Sequence, residues 1–277
     1  MIQHLDRLLA REGPTHQLGL LRVGLALIVW AEYGHATALF WNHPGPRMLI
    51  GGALLVAAGF MAVGLFSRLS TAATGALLLL GYHWIGVHQG IKEPWVHAHT
   101  YLLTMAVLVL ALAPNGRSLS LDRWRAGAGA APQHGPLWPL ALLRLQLALV
   151  YFWGAVDKTN VAFLSGSRLQ QIGALYYGSH EGVRLPLFDE LMVVASIGTV
   201  LLEYALAFGL WFAPARRWLI PLGIGFHAVV YLTLPVGTFS VTSCLLYLAF
   251  VRPEAVRDAL HRLVGRHDEP PRNRETR

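Results

Sequence analysis

Only two of the 22 basic residues in this 277-residue chain are lysines, Lys92 and Lys158; every other one is an arginine. An arginine keeps its proton in a protein, whereas a lysine drawn out of water can be left neutral and act as a base. Lys158 ends a long apolar run, LALVYFWGAVDKTN. Tyr151 and Arg144 precede it at intervals of seven, which places all three on one face of a helix. Gly154 leaves room beside that face. A titratable amine with a phenol two turns away is suited to proton transfer. The structural alternative is a polar seam in which Arg144 pairs with Glu203, while Lys158 extends its stem toward polar surroundings.

Other titratable groups fall in or beside apolar runs. Eight of the thirteen histidines do so: His35, His43, His83, His88, His97, His99, His180 and His227, with Glu32 near the first. His227 sits in the middle of LGIGFHAVVYL, with Tyr231 one turn along. A buried histidine bonded to a neighbouring helix is the structural reading of that position. His97 and His99 are two residues apart, so on a helix they point in different directions. No carboxylate or cysteine completes a ligand set around them, and no metal site is expected. Cys244 is the single cysteine, which excludes an intrachain disulfide and a cysteine-based zinc site.

The elements that position these groups are membrane helices. The chain is 55% hydrophobic and 13% charged, against roughly 25% charged in a soluble domain. An all-α, polytopic membrane bundle is expected, with about eight spans of about 20 apolar residues. They are 16–40, 47–66, 70–88, 98–113, 138–157, 190–213, 217–234 and 237–251. With the N-terminus inside, inner segments hold fifteen Lys+Arg and outer segments five, as the positive-inside rule requires. Both termini are then cytoplasmic, and Lys158 lies at the outer side. This topology accounts for the pI near 9.9 without nucleic acid. Residues 1–15 read as an interfacial amphipathic helix, 158–189 as an outer loop folding back on the membrane, and 252–277 as a basic, disordered cytoplasmic tail.

Three blocks carry a resemblance. RLQLALVYFWGAVDKTNVAFLSGSRL resembles the fifth-helix motif of the HTTM domain, the membrane domain shared by vitamin K-dependent gamma-carboxylases and many bacterial proteins. Arg144, Gln146, Tyr151, Gly154, Lys158, Phe163 and Gly166 carry the match. WVHAHTYL is similar to a carboxylase block that places its histidine on His99 and its tyrosine on Tyr101. GFHAVVYLTLPVGTFS is similar to a third, on His227 and Phe239, and Arg22 matches a first-helix arginine.

The resemblance implies a site. Lys158 becomes the base that deprotonates a reduced quinone of the vitamin K or menaquinone type, and His99 its catalytic helper. Tyr151, His227, His97, Tyr101 and Glu32 support them, and Trp95, Trp153 and Phe163 are expected to line the quinone pocket. Oxygen and carbon dioxide are the implied co-reactants. Phe163 stands where the family has Trp, and a single cysteine cannot form the carboxylases' lumenal disulfide. The resemblance therefore implies the site and leaves the acceptor open. Two rival readings remain: a membrane scaffold, or maturation or immunity partner of a small secreted peptide, and a DoxX-like quinone-reactive redox subunit. All three place the chain in a bacterial plasma membrane among lipids, and the enzyme and redox readings add quinone.

Overall fold

The computed structural model describes residues 11–39, 45–92, 94–177, 188–234 and 236–263. In chain order, its elements are β1 (Glu12–Pro14), α1 (His16–Leu39), α2 (Pro46–Val63), α3 (Ser67–Leu80), a π-helical turn (Gly81–His88) and α4 (Ala98–Ala111). Then come α5 (Leu121–Ala126), β2 (His134–Pro136), α6 (Trp138–Lys158), α7 (Val161–Leu164) and α8 (Ser167–Tyr177). The chain continues through α9 (Phe188–Gly209), α10 (Ala213–Thr233), α11 (Gly237–Leu246), a 3-10 turn (Tyr247–Phe250) and α12 (Pro253–Leu263). Among the described residues the fold is all-α apart from one two-stranded antiparallel ribbon, β1 with β2. It divides into two compact units, one of residues 1–96, 107–140 and 251–277, the other of 97–106 and 141–250.

In the first unit, Leu18, Leu21, Leu25 and Val29 recur along α1 at helical spacing and are fully buried. The small residues Gly51, Ala57 and Ala58 of α2 are buried too and let helix backbones approach. Arg22, buried within α1, donates to the carbonyls of Asn115 (2.8 Å) and Leu119. It thereby anchors the segment after α4 to the first helix. Gly81 and Gly86 let Trp95 and Val96 pack closely on the π-helical turn that follows α3. A Cβ on Gly81 would collide with the Trp95 ring, and one on Gly86 with Val96.

Asp122 of α5 caps the start of α3 from a distance. Its carboxylate accepts from the backbone N–H of Phe66 (2.8 Å) and of Ser67 (2.7 Å), and from Ser67 Oγ (2.7 Å). Partial burial pushes the Asp122 carboxyl up, but the hydrogen bonds from Ser67 and Phe66 outweigh it and hold it below the ordinary 3.8. A carboxyl lowered by folding stabilises the fold above its unfolded value and loses that effect as pH falls through its folded value. Asp122→Asn is therefore expected to cost about 1 kcal/mol at neutral pH. The difference from the parent protein should vanish in melts below the ordinary carboxyl range. A gap that persists there would remove the cap from the account.

The helices outline the membrane reading and revise its details. Each of the eight expected spans contains a helix. Among the described residues, three are long and apolar enough to cross a membrane: Pro46–Val63, Trp138–Lys158 and Phe188–Gly209. A fourth span exists if Gly237–Phe250 and Pro253–Leu263, bent by 104°, count together. Leu49, Val56, Val194, Leu201 and Val229 are exposed on helix surfaces, as lipid-facing residues are. Two other expectations change. Within the expected N-terminal helix, residues 1–10 lie outside the described residues and Glu12–Pro14 is a strand, because Gly13-Pro14 does not sustain a helix. The expected disordered tail begins as a helix, α12, with Pro253 at its start and His261 and Arg262 in its last turn. Residues 264–277 lie outside the described residues.

Candidate functional site

The polar side chains of the second unit form two clusters along α6. At its C-terminal end, Lys158 Nζ donates to both carboxylate oxygens of Glu203, at 2.9 and 3.0 Å, and to the Gly154 carbonyl at 3.2 Å. The Glu203 side chain is 6% exposed and that of Lys158 29%. Gly154 makes room for the pair, since a Cβ there would lie 3.3 Å from Glu203 Oε1 and 3.4 Å from Lys158 Nζ. Asp157, next to the lysine, is exposed.

Two turns back, Tyr151 is buried with its hydroxyl 2.7 Å from His227 Nε2 and 2.5 Å from the Tyr247 hydroxyl. His227 is fully buried and packs edge-on against Phe239. Its Nδ1 has no hydrogen-bond partner among the described residues, nor does the buried Ser240 Oγ. Gly223 permits this cluster, because a Cβ at that position would overlap the Tyr247 ring and hydroxyl. Gln146, one further turn along α6, donates to the Leu102 carbonyl of α4 at 2.8 Å.

The expected ion pair of Arg144 with Glu203 is not formed. Arg144 Nε donates to the Ala249 carbonyl at 2.7 Å, its guanidinium lies 5.9 Å from the Phe250 ring centroid, and Glu203 belongs to Lys158. The cause is helix register. The rings of Phe152 and Phe208 meet at 5.8 Å, and the hydroxyls of Thr159 and Tyr204 at 3.3 Å. Lys158 therefore faces the C-terminal part of α9. The N-terminal part runs on past the end of α6 and packs on α7 and α8. Gly166, at φ 80°, brings the turn between those two short helices so close that a Cβ would lie 2.8 Å from the Val193 nitrogen.

Of the expected quinone-lining aromatics, Trp95 belongs to the first unit and Trp153 and Phe163 to the second. Trp95 is buried in the first unit, where its ring meets Tyr33 at 4.8 Å and covers Gly81. Trp153 is 63% exposed, since two residues from the buried Tyr151 it lies on the opposite side of α6. Phe163, on α7, is buried, and its N–H is capped by Asn160 Oδ1 at 3.0 Å. His97 precedes α4, its backbone N–H and carbonyl both bonded to Thr100 Oγ1. Tyr101 is exposed on α4, and Glu32 is half-buried in the first unit. His99 lies in α4, but its side chain, like His43 and His180, lies outside the described residues. Tyr247 is the member of the site that sequence reading missed. Its only signal is helical spacing from Ser240 and Ser243 in a polar stripe on an apolar run.

No solved structure matches this chain. The family model described as the HTTM domain matches residues 40–254, which include both clusters of the second unit. The chain therefore belongs to the HTTM domain family, and is a membrane protein related to the gamma-carboxylases.

Proposed function

We propose that this HTTM protein is a membrane enzyme in which Lys158, held by Glu203, takes a proton from a reduced quinone and so drives proton abstraction, epoxidation or carboxylation of an acceptor. The observation that carries this reading is the Lys158–Glu203 contact itself. Nζ and Oε1 are 2.9 Å apart, within reach of direct proton transfer. In apolar surroundings, two opposite charges lose much of the advantage they have in water. A proton passed from Nζ to Glu203 leaves a neutral amine beside a neutral acid. That amine can accept the proton of a quinol hydroxyl, and the nearby carboxyl steadies the resulting ammonium. Exposed Leu191, Val194 and Leu201 continue the apolar surface of α9 past the pair, which favours a lipid-soluble substrate arriving from the side.

The unpartnered His227 Nδ1 and Ser240 Oγ are buried polar atoms that a quinol oxygen would satisfy, which supports this reading. A bound reduced quinone would supply an acidic hydroxyl and the electrons that oxygen accepts, and that oxidation would supply the driving force for a stronger base. The membrane arrangement proposed with this site has eight crossings, both termini in the cytoplasm of a bacterial cell, and the Lys158 end of α6 toward the outer side. The fifteen-to-five division of Lys+Arg supports it.

One observation favours a second reading, a scaffold or maturation partner of a secreted peptide. The amine of Lys158 already has three acceptors, two carboxylate oxygens and a carbonyl, as a structural clamp would. Reconstituting the full chain with reduced menaquinone, oxygen and labelled bicarbonate separates the two. Quinol consumption above protein-free liposomes supports the enzyme. Consumption at the background rate, together with copurification of one stoichiometric protein partner, supports the scaffold.

A further inference from the structure

The first unit holds an open groove of about 460 Å³ between the start of α3 and the segment after α4. Its lining includes Phe66, Arg68, Leu69, Arg117 and Asp122. Arg68 is exposed, and its guanidinium has no hydrogen-bond or ion-pair partner among the described residues. Arg117 engages Nη1 with the His134 carbonyl and keeps its other donors. The carboxylate in the groove, Asp122, is already occupied by the N–H groups and hydroxyl it caps. Arg123 and Arg125 follow it on α5. The groove is thus a basic site whose one acid is committed elsewhere.

Its rim is apolar where a soluble ligand would have no use for it. Phe66 is 58% exposed and Leu69 71%; Trp124, outside the lining but on the same α5 as Asp122, is 78% exposed. Phe66 also holds φ 48°, a left-handed conformation that costs a bulky residue about 1–2 kcal/mol. That cost brings no interior packing, since the ring faces outward. Exposed aromatic and aliphatic side chains interleaved with arginines are the composition of a membrane–water boundary.

We propose that this groove binds the phosphate of an anionic phospholipid, with Arg68 and Arg117 on the phosphate oxygens and Phe66, Leu69 and Trp124 among the acyl chains. Arg68 forks onto two oxygens of one phosphate. A zwitterionic lipid brings its own ammonium next to the arginines and is the poorer ligand. A free phosphate would use the arginines alone and leave the rim unexplained.

The test uses the full chain in nanodiscs of phosphatidylcholine mixed with phosphatidylglycerol, with retained lipids counted by native mass spectrometry. The parent protein is expected to retain phosphatidylglycerol about 30-fold over phosphatidylcholine, the effect of two arginines near a lipid phosphate. Arg68→Gln removes no internal contact, so it should fold normally and bring the ratio down to about fivefold, the share of Arg117. Arg68→Lys should keep part of the preference, and Phe66→Ser should weaken retention of the lipid. Equal retention of the two lipids by the parent protein would overturn the proposal, as would an unchanged ratio in Arg68→Gln. Displacement of the lipid by millimolar inorganic phosphate, indifferent to Phe66→Ser, would overturn it in favour of a soluble anion.

Discussion

Lys158→Arg is expected to lower quinol turnover by about 10²–10⁴, the range of a lost general base, while leaving the protein folded and inserted. An arginine keeps the positive charge and offers Glu203 a two-pronged donor, so the ion pair survives. What it cannot offer is a neutral nitrogen. Lys158→Ala should be equally inactive but also less stable. It leaves the Glu203 carboxylate, 6% exposed, without its cation. A fully buried pair broken in this way costs about 3–5 kcal/mol; partial exposure of the lysine reduces that to about 1–3 kcal/mol. Glu203→Gln should lose turnover with little loss of hydrogen bonding, because the amide still accepts from Nζ but cannot hold a proton. Melting temperature and turnover, measured on the same reconstituted samples, separate the two roles. Normal turnover in the arginine variant would leave Lys158 as a clamp and nothing more.

Much of this site was legible in the sequence because it is written on single helices. The seven-residue spacing of Arg144, Tyr151 and Lys158 needs only the pitch of α6, and a lone carboxylate such as Glu203 in an apolar run announces a partner. Which partner was not legible. A simple hairpin sets Glu203 beside Arg144. The chain instead inserts α7 and α8 after Lys158 and packs the first half of α9 against them. That shift amounts to about four helical turns, and no periodicity within α6 or α9 records it. Trp153 is exposed on α6, and its apolar character suits a lipid-facing surface as well as a cavity, so its type alone does not assign it to either. Tyr247 was hidden because it falls in a 3-10 turn, where helical spacing is no longer a reliable guide to facing. The eight helical segments, by contrast, follow from runs of apolar residues bounded by Pro and Gly, and these are local signals.

The second large effect is expected at the Tyr151 hydroxyl, which stands between His227 Nε2 and the Tyr247 hydroxyl. Tyr151→Phe removes one oxygen and leaves two buried polar atoms without it. Each such atom costs about 1–3 kcal/mol, so the single variant should lose about 2–5 kcal/mol. Replacing all three members by apolar groups of similar shape, Tyr151→Phe with His227→Leu and Tyr247→Phe, should recover most of that stability, since the variant then leaves no polar atom newly unmet at these three positions. The triple variant also decides what the cluster is for. If it only holds α6, α10 and the turn after α11 together, quinol turnover should return along with the melting temperature. If His227 contributes its unpartnered Nδ1 to the substrate, the triple variant should be stable and still inactive. Recovery of both quantities would confine the chemistry to Lys158 and Glu203. Recovery of stability alone would extend it two turns deeper along α6, to a histidine whose free nitrogen has no other use among the described residues.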